Sequence, residues 1–532
     1  MAQLIHEFIV EAAAAAALAP ALACQGRTVQ YGALADAVGA AAAMLLALGI
    51  GRGERVAVYL EKREEAVFAL FGAAAAGAVF VPVNPLLKPA QVVHILNDCT
   101  VRILVTSADR LPALAGALTG CAALHTVIVT DAPGPCTLAG QRVLAWPAQQ
   151  APDAASPVPH RSIDTDVAAI LYTSGSTGAP KGVVLSHRNL VAGALSVASY
   201  LGNHARDRLL CVLPLSFDYG LSQLTTAFAS GACAVLMNYL LPRDILAAVL
   251  AERITGLAGV PPLWIQLAQL TWPAGGTLRY ITNSGGVMPA ATLHKLRTGL
   301  PQVAVYLMYG LTEAFRSTYL APDQLDRRPG SIGKAIPNAE VLVLRPDGSE
   351  CDTDEPGELV HRGALVGLGY WNDPARTAER YKPLPPAPDG GPPLAELAVW
   401  SGDTVRRDAD GYLYFVGRRD DMIKSAGYRI SPGEIEEVIH ASGLAGEVAA
   451  LGVAHPLHGQ AIVLLATRPD GAGAAALDAR QLMAVCKATL PGFMLPLWID
   501  IRHGPLPRNP NGKIDRKLLA LELAPMFWDA VR

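Results

Sequence analysis

The segment Leu171–Gly182, LYTSGSTGAPKG, constrains this chain more than any other stretch. The short apolar run Val167–Tyr172 reads as a buried strand. It leads into a polar turn of Thr173, Ser174, Gly175, Ser176, Thr177 and Gly178, which Lys181 closes. Glycines let a backbone turn so that several N–H groups face one point, which makes an anion nest. The hydroxyls add donors and Lys181 adds a mobile positive charge, so the ligand this loop fits is a polyphosphate. Ser186 then reads as the cap of a helix running to about Tyr200. A generic Ser/Gly stretch would be only a flexible loop; the strand before, the lysine after and the capped helix beyond set this one apart. It is not a Walker A loop, which needs Gly-Lys followed by Ser or Thr. Here Pro180 precedes Lys181 and Gly182 follows it.

The rest of the chain frames that loop in α/β layers. Arg55–Leu60 reads as a strand, Glu64–Ala75 as a helix and Ala78–Val83 as another buried strand. At 532 residues, with 51% hydrophobic residues, the chain has material for about three or four structural units with large cores. The formal net charge of −3 implies no basic surface, so nucleic acid is a poor expectation for a partner. The apolar segment Leu70–Val83 is broken by Gly72, Gly77 and Pro82 and is shorter than the roughly 20 residues a membrane span needs, so no span is expected. Eight scattered cysteines form no CxxC pair, and no Lys or Arg precedes Arg27; a reducing, cytoplasmic setting without a signal peptide fits. Lys382–Glu396, rich in Pro and Gly, reads as a surface loop. Ser431-Pro432-Gly433-Glu434 reads as a capping box opening a helix with Ile435, Val438 and Ile439 on its apolar face.

Several later segments gain meaning from their order. Ser284-Gly285-Gly286, Tyr309-Gly310-Leu311-Thr312-Glu313, Trp400-Ser401-Gly402-Asp403, Gly417-Arg418-Arg419-Asp420 and Pro510–Arg516 follow the loop in turn. Each alone reads as a turn, a solvated linker or a surface lysine. Together with LYTSGSTGAPKG they resemble, from Tyr31 to Arg516, the AMP-forming acyl-CoA synthetase, adenylation-domain and luciferase superfamily.

The resemblance implies an α/β fold: a large N-terminal domain of layered α/β subdomains with a distorted barrel (1–419), and a small mobile α+β C-terminal domain (420–532). It implies that ATP lies in the Thr173–Lys181 loop, that Tyr309 stacks on adenine against Ser284, Gly285 and Gly286, that Thr312 contacts the α-phosphate, and that Glu313 holds Mg²⁺. Asp403 would accept hydrogen bonds from the ribose hydroxyls, and Arg418 would contact ribose or phosphate. Asp420 would be the hinge, Lys513 would reach the α-phosphate and the carboxylate, and Gly427 would border the thiol tunnel after the small domain swings. The implied reaction is adenylation of a small carboxylic acid, then transfer to coenzyme A or to the phosphopantetheine of a carrier protein. Chemically, both reactants of the first step are anions, so the protein must mainly neutralise and align them.

The acid is less defined. Leu213–Leu221, LPLSFDYGL, carries Phe217-Asp218. Many fatty acyl and aryl ligases resemble this stretch with His where Phe217 stands, whereas amino-acid adenylation domains resemble it with a Phe-Asp pair whose Asp holds the substrate ammonium. A buried Asp needs a partner, but an Asp opening a helix is an equally ordinary structural element. Lys424–Glu436, KSAGYRISPGEIE, is more similar to acyl-CoA ligases. No carrier domain is expected in the 19 residues after Lys513, so a carrier would act in trans. Three readings stay open: a CoA ligase for an organic or amino acid, a stand-alone aminoacyl–carrier-protein ligase, and an inactive nucleotide-binding homologue. Against the third, every expected phosphate, metal and lysine position is filled. Oligomeric state is not legible.

Overall fold

The computed structural model describes residues 2–131, 138, 140–146, 159–173, 180–273, 275–288, 290–384, 396–418, 423–430, 432–468, 477–507 and 514–527. Strands in these residues form sheets of 14, 8 and 5 strands. The 8-stranded sheet contains the strand Val167–Thr173, parallel to Val79–Pro82 and, beyond it, to Arg55–Tyr59, Ile103–Thr106, Thr126–Val129 and Arg142–Ala145. These strands read as continuous apolar runs because helices cover both faces of a parallel sheet. Leu70–Val83 is the end of the helix Glu64–Ala75 followed by the strand Val79–Pro82, all inside this core. Gly72 lets that helix approach the helix Tyr31–Ala47: a β-carbon there would lie 2.6 Å from the Ala41 Cβ. No helix among the described residues is long and apolar enough to cross a membrane.

Val167–Thr173 turns back antiparallel as Lys181–Ser186, with Thr173 opposite Lys181. The helix His187–Leu201 follows. The Ser186 hydroxyl accepts from the Asn189 N–H at 3.2 Å, and Gly202 ends the helix in a left-handed conformation at φ 60°.

The 14-stranded sheet has a parallel centre of Cys233–Leu236, Arg208–Cys211, Gly256–Gly259, Tyr280–Asn283 and Ala304–Tyr309. Val260, Ser284 and Gly310 each stand just beyond the carboxyl end of one of these strands, the usual position for a ligand crevice in α/β sheets. Antiparallel strands continue the sheet through Leu397–Arg407 and Leu413–Arg418. The expected loop Lys382–Glu396 begins differently. Tyr381–Pro383 is a short strand on Leu397–Arg407, anchored by the buried Tyr381, while 385–395 lie outside the described residues.

The 5-stranded sheet is built from residues after Ile423 and packs with the helices Pro432–Ser442, Ala479–Thr489 and Arg516–Leu523 around cores of its own. Ile435 and Ile439 are fully buried on the expected face of the first helix. The molecule is thus mixed α/β with a large N-terminal part and a small C-terminal part.

Candidate active site

A compact charged cluster stands where the two large sheets meet. Glu313 lies in the tight turn Thr312–Ala314 and is 2% exposed. Lys181 Nζ donates to Glu313 Oε1 at 3.3 Å and to the Tyr370 hydroxyl at 2.7 Å, and that hydroxyl donates to Glu313 Oε1 at 2.6 Å. A buried carboxylate is tolerable only with such partners. Burial, with the Glu313 charge added to it, pushes the neighbouring Tyr381 phenol well above its ordinary range. The turn itself is held by Phe315, which adopts φ 56° and seats its ring over Gly193 on the helix His187–Leu201. A β-carbon on Gly193 would lie 2.3 Å from the Phe315 Cδ1.

A second group of residues adjoins the first. The Tyr309 hydroxyl donates to Asp403 Oδ2 at 2.6 Å, and Asp403 pairs in register with Arg418 on the neighbouring strand. Asp403 is thus a strand residue rather than a turn residue, 5% exposed. Gly285 adopts φ 80°, a left-handed conformation that favours glycine. Thr173, Ser284, Gly285, Thr312, Phe217 and Asp218 line one cavity, with about 160 Å³ open to the centres of water-sized molecules.

The chain's residues 9–371 match the family model described as AMP-binding enzyme, and residues 434–513 match the AMP-binding enzyme C-terminal domain. This chain is a member of the AMP-binding enzyme family. It is 32% identical to an L-proline–[L-prolyl-carrier protein] ligase of Pseudomonas fluorescens, over 98% of this chain and 99% of that protein. It is 33% identical to a sulfoacetate–CoA ligase of Cupriavidus necator, over 93% of this chain and 92% of that protein. In fold it is similar to a double mutant of o-succinylbenzoate CoA synthetase from Bacillus subtilis bound with a product analogue. That likeness has a TM-score of 0.82 at 24% identity and covers 96% of this chain and 98% of that one. The chain is therefore an acid–thiol ligase of the AMP-forming kind.

Within the family frame, the small C-terminal part faces the cavity. Gly427, at φ 84°, packs so tightly on Val260 that a β-carbon would lie 2.9 Å from both of its methyl groups. Its carbonyl oxygen is 3.8 Å from where a Gly285 β-carbon would stand. Phe217 packs edge-on against Tyr428, with ring centroids 4.9 Å apart. Glu434 lines the same cavity, accepts from Gln91 Nε2 at 3.3 Å, and has its Oε2 shut off from solvent. Asp218 opens the helix Asp218–Ala229, and Arg316 Nη1 donates to its Oδ2 at 3.1 Å. Its carboxylate therefore has a protein partner already. Ser174, Gly175, Ser176, Thr177, Gly178, Asp420 and Lys513 lie outside the described residues.

Glu313 supplies one carboxylate, shared with the Lys181 ammonium and the Tyr370 hydroxyl. Among the described residues no cluster of three His, Cys, Asp or Glu side chains could hold a metal. The buried Glu313 carboxylate fits a Mg²⁺ that takes its other ligands from phosphate and water. Sequence reading missed Tyr370, Arg316 and Glu434. The first two lie 57 and 98 residues from the carboxylates they contact, and no local pattern marks them.

Proposed function

We propose that this chain activates a small carboxylic acid with ATP and hands the acyl group to the thiol of coenzyme A. In the first step a carboxylate oxygen attacks the α-phosphorus, a new P–O bond forms, and the bond to the β-phosphate breaks, releasing pyrophosphate. In the second step the thiol sulfur attacks the acyl carbon, the thiol proton leaves, and the C–O bond to AMP breaks. The observation that carries this reading is the Lys181–Tyr370–Glu313 cluster, whose chain neighbours Pro180 and Thr312 line the cavity that Gly427 also lines.

Lys181 and the loop residues Thr173, Ser174, Gly175, Ser176, Thr177 and Gly178 bind the phosphates and spread their charge. Tyr370 holds the Lys181 ammonium and the Glu313 carboxylate in one geometry. Glu313 would hold Mg²⁺, which would neutralise charge on the phosphate oxygens. Tyr309 covers adenine beside Ser284, Gly285 and Gly286, Asp403 takes the ribose hydroxyls with Arg418 nearby, and Thr312 meets the α-phosphate. Phe217 and Asp218 belong to the acid's pocket.

The chain divides at Asp420 into 1–419 and a mobile 420–532, so that Lys513 serves the first step and Gly427 the second. The packing of Gly427 on Val260 supports a small domain already placed for thioester formation. The buried thiols among the described cysteines fit a cytoplasmic setting.

The likeness to a prolyl-carrier protein ligase favours one second reading, in which a carrier protein acting in trans is the acceptor. Stoichiometric AMP and thioester with coenzyme A support the first reading. The same products only with a phosphopantetheinylated carrier support the second, and AMP without thioester from either acceptor contradicts both.

A further inference from the structure

Behind the cavity lies a smaller inner chamber, with about 30 Å³ open to the centres of water-sized molecules. That is room for one or two waters or for one small functional group. Tyr219 and Arg316 line both spaces. The chamber's floor is one face of the helix Asp218–Ala229, where Tyr219, Ser222, Gln223 and Thr226 follow one another at helical spacing. A helix face at this depth is ordinarily apolar. Here Gln223, Thr226 and Arg316 are 7%, 2% and 2% exposed. Gln223 Nε2 and Oε1, Thr226 Oγ1 and Arg316 Nη2 are all shut off from solvent and lack hydrogen-bond partners among the described residues. Buried donors and acceptors left in this way carry a full desolvation penalty.

Charge narrows what could satisfy them. Arg316 is neutralised by Asp218 at 3.1 Å and lies over the Tyr219 ring at 4.5 Å. An α-ammonium brought here would meet the guanidinium, and a second anion would meet the Asp218 carboxylate. An uncharged polar group leaves the pair balanced while serving Arg316 Nη2 and the Gln223 amide. The guanidinium also sits at the junction with the reacting turn: its Nη1 is 3.6 Å from where a side chain on Gly310 would begin.

We propose that the activated acid carries an uncharged hydrogen-bonding group, a hydroxyl, keto or carboxamide, remote from its carboxylate, and that Gln223, Thr226 and Arg316 receive it in this chamber. The assignment rests on the adenylation reading above.

The test is calorimetric binding of matched acids to the full chain: benzoate against 4-hydroxybenzoate, pentanoate against 4-oxopentanoate, and L-proline. At least one polar member is expected to outbind its apolar partner about tenfold or more, because a site built for a polar group rejects the analogue lacking it. Gln223→Met is expected to remove that preference, leave ATP binding unchanged, and leave the melting temperature equal or higher, since an apolar isostere removes unpaired buried atoms. Thr226→Val should act in the same direction. The proposal is overturned if no polar member outbinds its partner, including the case in which none binds. It is also overturned if L-proline binds more tightly than every uncharged polar acid, or if Gln223→Met lowers the melting temperature with the preference intact, which marks a structural amide. Pyrophosphate exchange is read separately. A binding preference without exchange upholds the chamber assignment and counts against adenylation.

Discussion

Glu434 should make docking of the C-terminal part sensitive to pH. Burial against the cavity wall is the main cause that pushes its carboxyl from 4.5 up to about 7; the negative charge of Glu437 adds to this and the Gln91 amide opposes it. If the small domain swings away, the carboxyl returns to water and to its ordinary range. The gap corresponds to about 3 kcal/mol against the docked arrangement once the group is ionised. The sign follows from the raised value. The docked arrangement binds the proton more tightly, so docking is undiminished below about pH 4.5, weakens as pH rises, and levels off above about 7. Glu434→Gln removes the titrating group and keeps the contact to Gln91. Spin labels on Leu86→Cys and Leu497→Cys, both exposed, would report the distance between the two parts, the described native cysteines being buried. The wild type should lose docked population between pH 5 and pH 8, by roughly two orders of magnitude in the docking equilibrium. The Gln variant should stay docked throughout. Identical pH profiles in both proteins, or firmer docking of the wild type at pH 8 than at pH 5, would refute the reasoning.

Three further outcomes are expected. Lys513→Ala should slow adenylate formation by at least about a hundredfold yet spare thioester formation from supplied adenylate, in rapid-quench assays of each step; equal loss of both would contradict the division of labour. Gly427→Ala should slow the thioester step about tenfold, because its φ of 84° disfavours a side chain and the new methyl would crowd Val260; unchanged thioester rates would refute that. Gly193→Ala should lower stability by about 1 kcal/mol, the crowding of Phe315 exceeding the helix-propensity gain, and should reduce adenylation by displacing the turn that carries Glu313. A melting temperature at or above the wild-type value would count against this packing account.

What was legible in the sequence was what local chemistry dictates. The apolar run before Thr173, the Ser186 cap and the helix after it follow from pattern and hydrogen-bonding groups within a few residues. The same holds for the face of Ile435 and Ile439. The order of motifs carried the family, whereas the direct contact of Lys181 with Glu313 across 132 residues was not foreseen. The strand Lys181–Ser186 between loop and helix was not foreseen, because six residues flanked by Gly, Pro and a cap read as part of the turn. Asp218 shows the limit most clearly. Its residue type asked for a cation, and the sequence offered a substrate ammonium or a helix end, while the structure, which does open a helix at Asp218, also supplies Arg316 from 98 residues along the chain. Tyr370 was equally invisible, since only the pairing of Gly369–Tyr370 with Lys181–Ser186 brings its hydroxyl to the charged cluster.

The central claim is that Lys181 and Glu313 jointly hold the triphosphate for acid-dependent adenylation. Isotope exchange between pyrophosphate and ATP, measured across fatty, aryl, hydroxy and amino acids, tests it most directly. The account predicts exchange with at least one acid in the wild type and its loss by about a hundredfold or more in both Lys181→Ala and Glu313→Gln. Exchange that persists unchanged in those two variants, or that no acid elicits from the wild type, would contradict it.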